Sequence, residues 1–390
     1  MNKTFDVLII GAGPAGGSAA LHCAKAGLSV LVIEEHEKIG EPVHCGECLS
    51  EYACKNIGLE LPKEVISEIV KGIRTIYPNN KKTIVPENGF VLEKEKFEQW
   101  LGEKAKDAGA EIKLGEKVVG VERKNMVWKI KTTKGTMESR ILIDASGITS
   151  FVSTKLGLNK RFDSVIGVQY ELKDIKRDGY LDFYIWPKLA PEGYLWMIPK
   201  SNGRANVGLV THEKNNAKKY LDEFIKEKKW GKKTRVKTFG GLIPISGPLE
   251  KTFGEGLMLI GDAAGFTSPM FEGGTHLGLK SGQMAAQIAK EAIRKNDFSE
   301  ELFSKYNELH RNEFPDYKKI LKGKKAFYNF SEEELNFVAK NLPDTFEGFN
   351  FFKKVIFGLK IAVGKPNLLK PSFFRAMRSL EYSNAKFYGW

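Results

Sequence analysis

The chain of 390 residues has few cysteines and no long uninterrupted apolar segment. The most hydrophobic window, residues 7–33, is broken by glycines, His22 and Lys25, so it does not predict a membrane-spanning helix. All the cysteines lie near the start of the chain, which excludes the disulfide framework of a small secreted domain. They are Cys23, Cys45, Cys48 and Cys54. Because the first residues lead directly into an apolar segment without a basic leader, we expect no signal peptide and a cytoplasmic location.

The sequence also lacks internal repeats and low-complexity segments. Hydrophobic residues make up 42% and charged residues 28%, which excludes a disordered or fibrous chain. A chain of this length predicts two or three domains and a core large enough to enclose a cofactor.

Positive charge is concentrated at the C-terminal end. The net charge is +13, and residues 351–390 contain eight Lys/Arg against one acid, Glu381. Apolar residues recur there at helical spacing from Phe352 to Val363, and Pro366 ends the run. The pattern predicts a basic amphipathic helix that either contacts an anionic membrane or packs on its own protein. No nucleic-acid-binding motif accompanies the charge, so no nucleic-acid partner is expected.

The first 35 residues have the order of a dinucleotide-binding unit. An apolar strand over residues 6–10 precedes the spacing Gly-x-Gly-x-x-Gly, formed by Gly11, Gly13 and Gly16. A helical segment and a second apolar strand follow, and Glu34 stands where that strand ends. Glycines at this spacing allow a tight turn, close approach of a pyrophosphate and helix packing, while the acid accepts ribose hydroxyls.

Two later segments favour FAD over NAD. An apolar strand ends at Asp144 in Asp-x-x-Gly, and another ends in Gly261-Asp262-Ala-Ala. The second segment continues to Gly273-Gly274 and a helical run, so a carboxylate and free backbone N–H groups would meet a flavin. The alternative is that one or both acids simply cap the ends of buried strands.

These motifs together resemble the para-hydroxybenzoate-hydroxylase-type flavoproteins. Within that group, residues 42–47 (Pro-Val-His-Cys-Gly-Glu), residues 194–200 (Tyr-Leu-Trp-Met-Ile-Pro-Lys) and residues 206–208 (Asn-Val-Gly) resemble the geranylgeranyl reductases. Lys94 and His44 stand where that family commonly has arginine, and Val210 where it often has glycine. The resemblance implies FAD-dependent saturation of geranylgeranyl chains on a glycerophospholipid precursor of archaeal-type ether lipids.

The resemblance and the motifs together give a set of predicted site residues. The predicted catalytic residues are Cys45, Tyr194, Trp196 and His44. The predicted cofactor-binding residues are Gly11, Gly13, Ala15, Gly16, Glu34, Cys45, Gly46, Lys94, Val118, Asp144, Gly261, Asp262, Gly273 and Gly274. Cys45 and Cys48 form a CxxC pair, which leaves a zinc half-site, a redox-active pair or an incidental second thiol as alternatives, and we predict no metal.

Tyr194, Trp196 and Ile198 alternate with Leu195 and Met197 in the sequence. In a strand this spacing places Tyr194 and Trp196 on one face. Neighbouring segments 165–172, 180–186 and 205–210 complete a predicted antiparallel sheet. Aromatic side chains beside a flavin would form an apolar slot for a hydrocarbon chain. Reduction of an isolated alkene needs a hydride and a proton. We expect Cys45 near the reacting carbons, either as the proton donor or as a group that positions the substrate beside the flavin.

The predicted fold is mixed α/β (α+β), with a Rossmann-like FAD-binding domain interleaved with an antiparallel-sheet substrate domain. The FAD-binding domain is predicted at 1–60, 90–160 and 240–300, the substrate domain at 61–89 and 161–239, and a helical basic region at 301–390. The expected partners are a prenylated glycerophospholipid, an external electron donor and, peripherally, the anionic inner face of the cell membrane. The alternative functions are a flavin-dependent hydroxylase or halogenase of the same fold, and a non-enzymatic prenyl-binding protein of the Rab escort type.

Overall fold

The computed structural model describes residues 3–43, 45–381 and 384–390. Strands dominate the first two thirds of the chain and helices the last third. The strands are β1 (Thr4–Ile10), β2 (Val30–Ile33), β3 (Cys48–Ser50), β4 (Ile66–Val70), β5 (Gly72–Ile76), β6 (Lys82–Val85), β7 (Gly89–Leu92), β8 (Glu111–Lys113), β9 (Val118–Lys124), β10 (Val127–Thr132), β11 (Thr136–Asp144), β12 (Ser164–Leu172), β13 (Tyr180–Tyr184), β14 (Tyr194–Lys200), β15 (Arg204–Thr211), β16 (Arg235–Pro244), β17 (Phe253–Gly254) and β18 (Leu257–Leu259). The helices are α1 (Pro14–Lys25), α2 (Glu51–Ile57), α3 (Lys94–Asp107), α4 (Phe151–Leu156), α5 (Ala217–Glu227), α6 (Thr275–Lys295), α7 (Glu300–Glu313), α8 (Tyr317–Tyr328), α9 (Glu332–Asn341), α10 (Phe351–Gly364), α11 (Pro371–Glu381) and α12 (Ala385–Tyr388).

The first sheet has eight strands and a parallel centre. Its order is β17-β18-β11-β1-β2-β8, and β10 and β9 extend it from β11. Strand β1 pairs in parallel with both β2 and β11. Val7, Leu8 and Ile9 are fully buried, as expected for a parallel strand covered on both faces. Helix α6 approaches α1 closely because Gly282 lacks a side chain, since a Cβ there would lie 2.6 Å from a backbone oxygen of α1.

The second sheet has seven strands in the order β16-β12-β15-β14-β13-β5-β6, with antiparallel pairing except between β13 and β5. One face of β14, carrying Leu195 and Met197, packs with α5 in a separate core cluster. The opposite face carries Tyr194 and Trp196, which belong to the main core. The sheet therefore separates its own small core from the region where the site lies.

A small sheet, β3-β7-β4, and the C-terminal helices complete the fold. Helices α8 and α11 pack tightly where Gly323 meets Ser379, since a Cβ on Gly323 would lie 2.2 Å from that side chain. In α10, Phe352 and Val363 are 75% and 86% exposed, while Ile361 is buried. The predicted fold class is confirmed, with a parallel-centred sheet, a mainly antiparallel sheet and a helical C-terminal part, and the domain boundaries stay a prediction.

Candidate active site

The glycine turn after β1 has room for a pyrophosphate. Gly11 has a φ of +98°, and a Cβ on it would lie 2.5 Å from a backbone oxygen, so this position requires glycine. A Cβ on Gly16 would lie 2.0 Å from the oxygen of Gly11, which brings α1 against the turn. A Cβ on Gly13, in contrast, would meet nothing within 4 Å. The open space above Gly13, at the start of α1, fits a phosphate group.

Glu34 lies beside this turn at the end of β2. Its Oε2 accepts a hydrogen bond from the backbone nitrogen of Ala12 (2.8 Å), and its Oε1 accepts one from the backbone nitrogen of His36 (3.0 Å). The carboxylate is thus fixed at the edge of the glycine turn, where an adenosine ribose would be held.

The segment after β18 supplies the other end of the nucleotide site. Gly261 has a φ of +57°, and a Cβ on it would lie 2.8 Å from the side chain of Ala15 in α1. Asp262 is partly buried, and burial raises the pKa of its carboxyl to about 6 despite the opposing charge of Lys94. Gly274 precedes the first turn of α6, and a Cβ on it would lie 3.3 Å from Asp262 Oδ1. A desolvated carboxylate beside free helix N–H groups fits the ribityl hydroxyls and the electron-rich edge of a flavin.

Three further residues, Asp144, Lys94 and Val118, stay predicted cofactor residues, and their contacts in the structure are as follows. Asp144 is fully buried, and its two oxygens accept the backbone N–H groups of Ser146 (3.0 Å) and Val152 (2.7 Å), as a structural cap would. The ammonium of Lys94 binds Glu98 at 2.6 Å. Val118 is buried at the start of β9, outside the residues that line the cavity described below.

The loop after β2 carries the predicted catalytic cysteine, and His44 in the same loop lies outside the described residues. Cys45 Sγ lies 3.8 Å from Thr275 Oγ1 in α6 and accepts a hydrogen bond from the backbone nitrogen of Glu47 (3.2 Å). Cys48 is a separate free thiol in β3, and burial raises its pKa well above the usual value. A thiol of raised pKa is a poor nucleophile, and a functional Cys45 beside an incidental Cys48 stays our prediction.

No group of His, Cys, Asp or Glu with the arrangement of a metal site occurs in residues 3–43, 45–381 and 384–390.

Glu47, in the same loop as Cys45, belongs to a cluster of buried charged and polar side chains. Glu47 Oε2 binds Lys200 Nζ at 2.7 Å and also accepts from the side-chain amide of Asn206. Its Oε1 accepts the backbone nitrogen of Lys94 at 3.0 Å. Lys200 reaches Glu93 as well, at 3.1 Å. These residues, apart from Lys94, were not predicted as part of the site. Glu47, Lys200 and Asn206 nevertheless lie within the motifs on which the family resemblance rests.

Tyr194 and Trp196 lie on the same face of β14, as their spacing in the sequence predicts. The ring centroids of Tyr194 and Trp196 are 5.8 Å apart, and Tyr194 also packs edge-on against Phe271 at 5.3 Å. The hydroxyl of Tyr194 donates to the carbonyl oxygen of Phe271 (2.7 Å). Gly208 on β15 lies opposite Trp196, and a Cβ on it would lie 2.4 Å from the indole, so glycine is needed there.

One cavity of about 820 Å³ joins these parts. Its volume is in the range of about 300–1,000 Å³ that is typical of ligand sites. It extends from the cysteine loop and the start of α6 to the C-terminal helices, and most of its lining is apolar or aromatic. The lining includes Cys45, Gly46, Phe183, Tyr194, Trp196, Ile198, Phe271, Gly273, Gly274, Thr275, Phe327, Phe330, Phe357, Phe373 and Phe374. An apolar slot next to the flavin end of the nucleotide site can hold a hydrocarbon chain.

Comparison with known proteins agrees with this chemistry. Residues 6–154 match the sequence model of the FAD dependent oxidoreductase family, and residues 163–243 match that of the geranylgeranyl reductase catalytic domain. Digeranylgeranylglycerophospholipid reductase of Methanocaldococcus jannaschii is 32% identical over 388 residues, which cover 95% of this chain and 98% of the relative.

Solved structures show the same relationship. The crystal structure of a geranylgeranyl bacteriochlorophyll reductase-like protein from Thermoplasma acidophilum has a TM-score of 0.85 and 31% identity, over 95% of this chain and 98% of that one. A flavin-dependent brominase has a TM-score of 0.72 at 21% identity, over 98% of this chain and 99% of that one, which shows a shared fold alone. The relatives therefore favour a reductase over the halogenase alternative and over a non-enzymatic prenyl-binding protein.

The motifs, the geometry of the glycine turns and the relatives point to the same family. The chain belongs to the geranylgeranyl reductase family of FAD-dependent oxidoreductases.

Proposed function

We propose that this enzyme saturates C=C bonds in the geranylgeranyl chains of digeranylgeranylglycerophospholipid. The observation that carries the proposal is the single cavity lined by Cys45, Gly274, Tyr194 and Trp196 at one end and by C-terminal helices at the other. An apolar, aromatic-lined cavity of about 820 Å³ suits a lipid chain. The relatives that share most of the chain's length carry the name of that lipid.

FAD would be held by the glycine turn at Gly11 and Gly13, by Glu34, by Asp262 and by the start of α6. When bound and reduced, FAD supplies the hydride equivalent that one alkene carbon receives. The chain's own residues keep the alkene dry and aligned, and good alignment contributes on the order of 7–11 kcal/mol to such reactions.

The aromatic wall has an electrostatic role as well. Positive charge develops on an isolated alkene during reduction because no carbonyl group is present to accept negative charge. The ring faces of Tyr194 and Trp196 would stabilise that charge by about 0.5–2 kcal/mol each. Cys45, fixed by Thr275 and by the backbone of Glu47, would position the reacting carbons.

Each saturation consumes two electrons, so the flavin must be reduced again. An external electron donor, which can be a nicotinamide cofactor, a deazaflavin or a ferredoxin, would supply these electrons.

We also propose peripheral contact of α10 with an anionic membrane. None of the helices in the described part of the chain is long and apolar enough to cross a bilayer. Helix α10 exposes an apolar face whose exposed residues are Phe351, Phe352, Val355, Ile356, Leu359 and Val363. Lys354 and Phe357 of the same helix line the cavity, so a lipid leaving a membrane at this helix would be close to the slot. The basic surplus of residues 351–390 complements anionic lipid.

The test is an anaerobic incubation of FAD-loaded, dithionite-reduced protein with digeranylgeranylglycerophospholipid, followed by mass spectrometry of the lipid. We expect products that have gained two hydrogens for each bond saturated. Trp196→Ala should slow the reaction strongly, whereas Trp100→Ala, on partly exposed α3 and away from the cavity, should leave it unchanged. An unreduced lipid together with oxygen- and halide-dependent flavin turnover would contradict the proposal.

A further inference from the structure

Glu272 is a carboxyl group in the cavity wall that the sequence motifs left without a role. It stands directly before Gly273, in the turn that leads into α6, and it lines the cavity. Its φ is +52°, a left-handed conformation that is uncommon for a residue with a side chain. Its side chain is 3% exposed. A strained backbone that places a carboxyl in an apolar slot is typical of a functional site.

The two carboxyl oxygens of Glu272 differ in their hydrogen bonding. Oε1 lies 3.1 Å from the ammonium of Lys324 in α8, whose side chain is 8% exposed. Oε2 is buried and has no hydrogen-bond partner among the described residues. The neighbouring hydroxyl of Tyr194 donates to the carbonyl of Phe271 (2.7 Å), and it also lies close enough to Glu272 to act on its carboxyl. An unpaired, buried carboxyl oxygen is costly unless it carries a proton or meets a ligand.

The surroundings of Glu272 suit a group that exchanges a proton near neutral pH. Burial raises the pKa of its carboxyl to about 7, and the charge of Lys324 and hydrogen bonding by Lys324 and Tyr194 oppose the rise. The other titratable groups that face it are the phenols of Tyr194 on β14 and Tyr328 on α8. Burial raises the pKa of both phenols well above the usual value, so neither loses its proton in the same range.

We propose that Glu272 is the acid that protonates the alkene, an inference that rests on the proposed reductase function. The O–H bond of Glu272 breaks and its proton forms a C–H bond at one alkene carbon. The π electron pair is used in that bond, and the hydride equivalent from reduced FAD forms the second C–H bond at the other carbon. The charge of Lys324 stabilises the resulting carboxylate until a proton from solvent regenerates the acid. The external donor would return the two electrons that the flavin has lost. Cys45, which also lines the cavity, is then a positioning residue.

Single-turnover reduction of digeranylgeranylglycerophospholipid by the reduced, FAD-loaded enzyme tests the proposal. Glu272→Gln should lower the rate by about 100-fold or more, the effect typical of losing a general acid. Glu192→Gln, which changes an exposed carboxylate on the loop before β14, is the matched control and should leave the rate unchanged. In the wild type the rate should fall as pH rises through about 7, and Lys324→Met should move that midpoint upward because the opposing charge is gone.

A second readout does not depend on turnover. An infrared pH titration of the FAD-loaded protein should show a protonated carboxyl band that disappears near pH 7, and Glu272→Gln should lack it. FAD affinity, measured by fluorescence titration, should be the same in both proteins within about twofold, which shows that the variant is folded.

The outcomes separate the two proposals. If the wild type reduces the lipid and Glu272→Gln does so at the same rate, the acid role of Glu272 is wrong while the reductase function stands. If the wild type leaves the lipid unchanged, both proposals are overturned. A pH profile that Lys324→Met does not shift would also count against the acid role.

Discussion

The indole nitrogen of Trp196 donates a hydrogen bond of 2.8 Å to the side-chain oxygen of Gln169. The amide nitrogen of Gln169 donates in turn to the carbonyl oxygen of Cys45 at 3.2 Å. A single buried amide on β12 thus joins the aromatic wall of the cavity to the cysteine loop, two features that are about 150 residues apart in sequence. The relative position of Cys45 and Trp196 depends on this link.

Gln169→Leu should therefore weaken both the fold and the reaction. The substitution keeps the approximate size of the side chain and leaves the buried indole N–H and the carbonyl of Cys45 without partners, which costs about 1–3 kcal/mol for each unpaired group. We expect a lower melting temperature by calorimetry and slower lipid reduction with FAD affinity unchanged. Gln169→Glu, which keeps an acceptor for the indole, is the comparison, and equal activity of Gln169→Leu and wild type would show that the link is dispensable.

Gly208→Ala should disturb the aromatic wall by crowding. The added Cβ would lie 2.4 Å from the indole of Trp196, so the ring must move or the strand must shift. Overpacking of this kind costs about 1–3 kcal/mol. Thermal unfolding should show the loss, and lipid reduction should slow. Gly240→Ala on β16 is a suitable control, because its nearest neighbouring atom would be at 3.4 Å. A variant Gly208→Ala with wild-type stability would contradict this packing.

FAD affinity should depend on pH through Asp262. Without FAD the pKa of this carboxyl is raised to about 6. Ribityl hydroxyls donate to the charged form, so bound FAD lowers the pKa, and by linkage FAD binds less tightly as pH falls through about 6. Fluorescence titrations between pH 5 and 8 should show this, with weaker, less pH-dependent binding in Asp262→Asn. Asp107→Asn, at an exposed position on α3, should behave as the wild type, and an unaltered pH dependence in Asp262→Asn would rule out this assignment.

Membrane contact should depend on the exposed face of α10. Phe352→Glu with Leu359→Glu places two charges on side chains that are 75% and 60% exposed, which opposes insertion at a lipid surface. Flotation with anionic liposomes should fall strongly in this double variant. Ile69→Glu with Val236→Glu adds the same charge on β4 and β16, at side chains that are 65% and 41% exposed, and this control should float like the wild type. Equal flotation of both double variants would argue against docking through α10.

Much of the nucleotide site follows from local sequence. The turn at Gly11 and Gly13 and the bend at Gly261 need backbone conformations or close approaches that glycine alone permits, so spacing reveals them without tertiary information. The alternation in β14 likewise predicts that Tyr194 and Trp196 share a face, because successive side chains of a strand point to opposite sides. The geranylgeranyl reductase family and its cofactor were recognisable from these residues.

Other parts of the site depend on contacts between distant segments. The sequence predicts that Asp144 binds the cofactor. In the structure its oxygens accept hydrogen bonds from backbone N–H groups that only the folded chain brings close to it. The residues beside Glu272 in the sequence do not indicate a role for it, because its ion-pair partner Lys324 lies on α8. The exposure of the apolar face of α10 was equally undecided, because a helical period gives the position of a face and not what covers it.

The sequence by itself determined the nucleotide-binding turns, the aromatic face and the family, since these depend on backbone geometry and on the period of a strand. Tertiary structure alone decided which acids are capped, which are paired and which is left with an unpaired oxygen in the cavity. The physical reason is that burial and the charge of distant neighbours set the protonation of a carboxyl, and neither can be read from the residues beside it in the chain.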